Sequence, residues 1–122
     1  MGGFHAFEDI QAWGRARELA RQVYLVSNTD DFRRDYGLRD QIRRASVSVI
    51  SNIAEGFERD GNTEFARFLT MAKGSSGEVR AQVYIALDQG YISQDQAQKL
   101  ISLAQEVSRM IAGLIAYLRS HH

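Results

Sequence analysis

No proline occurs anywhere in the 122 residues. A proline inside a helix removes an amide donor and clashes with the preceding turn. A chain without one is open to long, uninterrupted helices, and the apolar spacing follows that opening. Four segments repeat apolar residues at intervals of three and four, the signature of one buried helical face. No strand-like alternation survives beside them.

The first predicted helix runs from about Glu8 to Ser27. Ala12, Trp13, Ala16, Leu19, Ala20, Val23 and Tyr24 share one arc, with Arg15, Glu18 and Gln22 opposite. Asn28-Thr29-Asp30-Asp31 breaks it. The second starts near Tyr36-Gly37 and ends near Arg59. Asp60-Gly61-Asn62 is the clearest turn signal, and Asn62 is the expected N-cap of the third helix, with Glu64 near its positive end. That helix carries Phe65, Phe68, Leu69, Ala72, Val79, Val83, Ala86 and Leu87, and Gly90 closes it. Ser93-Gln94-Asp95-Gln96 has the capping-box pattern for a fourth helix. Its stripe is Leu100, Leu103, Val107, Met110, Ile111, Leu114 and Leu118. Short connections make successive helices antiparallel. The expected fold is all-α: an up-and-down four-helix bundle, one domain over residues 1–122.

Composition removes several function classes. Lys plus Arg is 15 and Asp plus Glu is 15, so a strongly basic nucleic-acid sleeve is excluded while a local patch is not. The absence of cysteine removes disulfides, thiol catalysis and thiolate metal sites. The only histidines are His5, His121 and His122. The tail Arg119-Ser120-His121-His122 reads as the start of a purification tag. No His/Glu pair stands at ligand spacing on one helix, so neither a metal centre nor a cofactor is expected. Gly74-Ser75-Ser76-Gly77 lies within a helical pattern, without a preceding strand or the Gly-Lys-Ser/Thr ending of a phosphate loop. No apolar run approaches the roughly 20 residues of a membrane span. Met1-Gly2-Gly3-Phe4 lacks a signal pattern, so the expected compartment is the cytoplasm.

Two helices carry more apolar or small surface than a lone bundle needs. On the second, Leu38, Ile42, Val47, Val49, Ile50, Ile53, Ala54 and Phe57 cover about half the circumference. On the third, Thr70, Gly74, Gly77 and Ala81 lie opposite the Phe/Leu/Val stripe. Each mid-helix glycine costs roughly 1 kcal/mol against alanine. Close approach of another helix would offset that cost. The favoured reading is a cyclic homo-oligomer with Val47, Ile50, Ala54, Thr70, Gly74, Gly77 and Ala81 at its interfaces. The alternative is crowding inside one bundle.

Two further groups bear on function. Gln41, Ser48, Asn52 and Glu55 fall on one arc of the second helix, with Arg44 and Ser51 at its edge. Short uncharged polar groups suit a hydrogen-bonded seam, with a ligand surface or active site as the alternative. Glu55 has no evident acid/base partner. Thirteen of the fifteen cations are arginine. Arg33, Arg34, Arg39, Arg43 and Arg44 cluster at the start of the second helix, where they suit phosphate contact. Asp30, Asp31, Asp35 and Asp40 in the same stretch offer the plainer reading of local ion pairs.

Three segments carry a family resemblance. They are Tyr36-Gly37-Leu38…Gln41…Arg43-Arg44-Ala45, then Asn52-Ile53-Ala54-Glu55-Gly56, then Glu64-Phe65…Phe68-Leu69…Ala72…Gly74-Ser75. With Trp13 and Ala16 upstream, the chain resembles the small four-helix-bundle proteins named after the intervening sequences of bacterial 23S rRNA genes. The resemblance spans about Phe7 to Leu118. It implies an up-and-down bundle, a pentameric ring, no established enzymatic activity and a largely unknown role. In a related group, retroelement accessory proteins, it implies a basic pentamer that binds nucleic acid and a reverse transcriptase. Carried over, the candidate contacts are Arg39, Arg43 and Arg44; Asn52, Glu55 and Gly56 are signature positions without assigned chemistry. Two departures stand out: Ser48-Val49-Ile50-Ser51-Asn52 lacks the family's frequent proline, and this chain is neutral.

The expected function is a non-enzymatic oligomeric scaffold or adaptor, with structured RNA or a nucleic-acid enzyme as candidate partner. The alternative is a small-ligand binder or enzyme working through Gln41, Ser48, Asn52 and Glu55.

Overall fold

Four long helices carry the chain in the computed structural model, which describes residues 3–121. They are α1 (Gln11–Ser27), α2 (Tyr36–Glu58), α3 (Asn62–Asp88) and α4 (Gln94–Ser120). Two single 3-10 turns, Phe7–Asp9 and Phe32–Arg34, precede α1 and α2. Met1, Gly2 and His122 lie outside the described residues, and with them parts of the leader and tag expectations.

Cross-helix pairs fix the topology. Gln41 meets Gln82 and Ser48 meets Ser75, so α2 and α3 run antiparallel. Ser76 meets Ala104 and Asn62 meets His121, so α3 and α4 do too. Arg43 reaches Ser27, and Arg15 forms a two-bond fork with Glu106 on α4. Each helix packs on its sequence neighbours, α1 closes against α4, and α1 and α3 stand diagonally apart. This is the expected up-and-down arrangement within one chain.

The core is one apolar cluster drawn from all four helices, with Leu19, Val23, Ile42, Val49, Ile53, Leu69, Val79, Val83, Val107 and Ile111 fully buried. By length and mean hydropathy alone, α4 would qualify as a membrane span. Leu100, Leu103, Val107, Ile111 and Leu118 of its apolar stripe are buried in the bundle, with Met110 and Leu114 half-buried beside them.

Local signals set most boundaries. Ser93 and Gln96 form the reciprocal capping box at the start of α4. At the end of α3, the Gly90 amide donates to Leu87 O and the Tyr91 amide to Ala86 O. That is the Schellman pattern, and it needs the left-handed φ of +76° found at Gly90.

Three expectations need correction. The first helix does not begin at Glu8: Ile10 is buried in an extended conformation and separates the 3-10 turn from α1. Asn62 does not cap α3: Gly61 takes that position, and Asn62 reaches the His121 carbonyl at 3.1 Å. Tyr24 is not in the core but exposed, because α1 turns that edge outward beside α2. Arg119 and Ser120 continue α4, and His121 stacks on Tyr117 at 4.0 Å.

Candidate functional site

The polar stripe of α2 lies along its seam with α3. The Asn52 side-chain amide donates to Ser48 O at 2.9 Å and to Ser48 Oγ at 3.0 Å. Ser48 Oγ shares a 2.9 Å hydrogen bond with Ser75 Oγ. Farther along, Gln82 is buried and donates to Gln41 Oε1 at 3.5 Å. Ser48, Asn52 and Gln41 are thus brought together by α3, as rungs between two helices. Glu55 is not part of that ladder. It is exposed and pairs with Arg59 one turn on, at 2.7 Å. None of the three principal surface grooves is lined by Gln41, Ser48, Asn52 or Glu55. A general acid or base needs a reacting group held within hydrogen-bond reach. The geometry at Glu55 offers an ion pair at the surface instead.

Gly56, buried one residue on, is a packing position. An added Cβ would stand 2.7 Å from Phe68 Cβ and 3.1 Å from Phe65 Cδ1. The closeness of α2 to α3 at this end therefore requires glycine. Beside it, the Arg59 and Arg67 guanidiniums lie 5.0 and 4.6 Å from the Phe68 ring. Glu55 holds the first arginine and Glu64 the second. Glu55 acts here by orienting Arg59 on the aromatic corner.

The Gly74-Ser75-Ser76-Gly77 stretch divides its residues by direction. Ser75 points to α2. Ser76 is fully buried, donates to Ala104 O at 2.9 Å and accepts from Ser108 Oγ at 3.0 Å. Gly74 and Gly77 face outward, and a Cβ at either would meet nothing within 4 Å. Crowding inside the bundle therefore does not explain them. Thr70 and Ala81 are exposed on the same side. The α2 candidates lie elsewhere: Val47 and Ile50 line a groove against α1 with Tyr24 and Leu25, and Ala54 is half-buried.

The arginines separate into held and free. Arg34 pairs with Asp31 at 3.1 Å, and Arg39 pairs with Asp40 at 3.0 Å while covering the Tyr36 ring. Arg43 donates to Ser27 Oγ at 2.8 Å and lies 4.7 Å from the Tyr24 ring centre. Among the described residues, the Arg33 and Arg44 guanidiniums have no ion-pair or hydrogen-bond partner, and both residues are exposed. The local acids pair less than their number suggests. Asp35 caps α2 through the Leu38 amide and accepts from the Tyr91 hydroxyl at 2.9 Å. That bond holds the Tyr91 hydroxyl above the ordinary tyrosine range, with burial and the Asp35 charge adding to it. The Asp35–Tyr91 tie and the Arg43–Tyr24 stack carried no local sequence signal.

The residues of α2 and α3 that carried the resemblance are now placed, and the family profile of the 23S rRNA-intervening sequence proteins matches residues 8–113. The chain belongs to this family. No curated protein matches it. A solved structure does, with a TM-score of 0.78 at 18% identity, covering 85% of this chain and 97% of the other. That structure is a protein of unknown function of the S23 ribosomal protein family from Bacteroides thetaiotaomicron, and its likeness shows the fold. In this chain, the Asn52-to-Gly56 segment is explained by helix pairing. Asn52 bonds the seam, Ile53 is core, Glu55 holds Arg59, and Gly56 admits Phe68.

Proposed function

We propose that this chain is a non-enzymatic scaffold that works as a ring of its own copies, with five copies as the ring size the family resemblance implies. The outward glycines of α3 carry this reading. Alanine at Gly74 and Gly77 would meet no neighbour within 4 Å among the described residues. Each substitution would stabilise an isolated bundle by roughly 1 kcal/mol. Retaining glycine there suits a surface on which another backbone approaches closely. Val47, Ile50 and Ala54 supply a second surface, and half-exposed apolar groups there suit contact with another copy.

Structured RNA is the favoured further partner. Arg33 and Arg44 are exposed cations without partners among the described residues, and Arg39 and Arg43 lie over tyrosine rings nearby. Guanidinium groups of this kind suit phosphate and base stacking. A ring would repeat a weak patch and strengthen it by avidity.

Size-exclusion chromatography with light scattering tests the reading. Five copies of the 13.8 kDa chain give about 69 kDa, the expected mass. Absorbance at two wavelengths reports whether nucleic acid co-elutes. A monomer at every concentration would overturn the scaffold reading.

A further inference from the structure

The outer arc of α3 is not built like a solvated helix face. Met71, Gly74, Gly77, Ala81 and Ile85 run along it, with Met71 45% and Ile85 48% exposed. Thr70 to Ile85 spans about 22 Å at 1.5 Å per residue. Glu78 is the only acidic residue in that span. It lies on the outer arc and pairs with no cation among the described residues. By helical phase Arg80 falls toward α4, and Lys73 is exposed between the α4 side and this arc.

The opposite feature lies elsewhere on the bundle. Between α1 and α2 runs an open groove floored by Ala20, Tyr24, Leu25, Val47 and Ile50. It extends along α1 from Gly14 to Asn28, about 21 Å. Arg17, Arg21 and Arg43 line it. Arg21 is neutralised by Glu18 at 2.8 Å. Arg17 lies over Trp13 and Arg43 over Tyr24, and neither has a carboxylate partner among the described residues. The groove thus matches the α3 ridge in length and apolar character, and its Arg17 and Arg43 guanidiniums complement the Glu78 carboxylate. Because α1 and α3 stand diagonally apart, one copy can offer both faces at once.

We propose that the α1/α2 groove receives the α3 ridge of a neighbouring copy, head to tail, with Glu78 of that copy facing Arg17 and Arg43. This rests on the self-association reading above. It goes further in naming two different faces as one heterologous contact, the kind that closes into a ring.

A complementation experiment tests it. Gly74→Arg blocks the ridge and Val47→Arg blocks the groove. Position 74 is open and Val47 is 38% exposed, so both variants should keep wild-type helicity by circular dichroism. Each alone is expected as a 13.8 kDa monomer. Their equimolar mixture is expected to form a 1:1 complex of about 28 kDa, because one intact groove takes one intact ridge and the remaining faces are blocked. The mixture is read at high concentration, since a single contact lacks ring avidity. As a second measurement, Glu78→Arg should weaken assembly about tenfold, and adding Arg17→Glu should recover most of it. Variants that stay oligomeric alone, a mixture that stays monomeric, or a charge swap without recovery would overturn the ridge-in-groove contact. Those outcomes leave self-association standing; a monomeric wild type removes both.

Discussion

Gly56 lies against Phe68 so closely that a methyl group at position 56 would stand 2.7 Å from the Phe68 Cβ. The atom it would meet is anchored to the α3 backbone and cannot swing away. Gly56→Ala should therefore reverse the usual helical advantage of alanine and push α2 and α3 apart. We expect a loss of about 1–3 kcal/mol, the range for overpacking a close contact. Urea unfolding read by circular dichroism checks this. Wild-type stability in the variant would show that the helices part at no cost.

The outward glycine Gly74 should behave oppositely. Among the described residues, nothing lies within 4 Å of its added Cβ. Gly74→Ala is expected to raise the stability of the isolated bundle by roughly 1 kcal/mol. In the ring reading, it also weakens assembly, because the neighbouring backbone loses its close approach. Unfolding at low concentration and light scattering at high concentration separate the two effects. Greater stability with unchanged assembly would remove position 74 from the interface.

Much of this was legible in the sequence where the signal is local. Helix spacing, the Ser93/Gln96 box and the Gly90 terminator are decided within a few residues, and the structure has them. Ile10 is different. It breaks the first helix because burial of its side chain fixes an extended residue there, which no helical wheel encodes. At Asp60-Gly61-Asn62, glycine and asparagine both suit a cap, and Gly61 takes it with φ +84°. The same divide runs through the candidate site. Arg34–Asp31 is a three-residue pair and could be read directly. Arg43–Ser27 spans 16 residues and Tyr91–Asp35 spans 56, so both depend on how the helices dock. The direction of Gly74 and Gly77 needed the structure too, since spacing alone does not distinguish an open face from a crowded one.

The Asp35–Tyr91 bond predicts an alkaline effect. Because Asp35 accepts the Tyr91 proton, the folded state holds that proton to higher pH than the unfolded chain does. The contribution is fully present below the unfolded tyrosine value of about 10. It is lost as pH rises through the folded value, where a phenolate would face the Asp35 carboxylate. Tyr91→Phe removes this titration. Thermal unfolding from about pH 8 to about pH 11 should show a steeper alkaline decline in wild type than in the variant. Parallel curves would mean that the bond does not persist in solution.

RNA contact is the reading most exposed to refutation, because the chain carries no net charge to hold a polyanion non-specifically. Affinity must then come from the few cations that are free to move. Arg33 and Arg44 meet that description, whereas Arg43 is tied to Ser27 and Tyr24. The double variant Arg33→Ala/Arg44→Ala should weaken a mobility shift on structured RNA. The salt slope should fall by about 1 for each phosphate that is no longer neutralised. Arg43→Ala, at a side chain held by Ser27 and Tyr24, should weaken the shift only as far as it weakens assembly, which light scattering on the variant reads. Binding that survives the double variant would place any RNA on another face. No shift even at low salt would leave the ring without a nucleic-acid partner, and a protein would become the partner to seek.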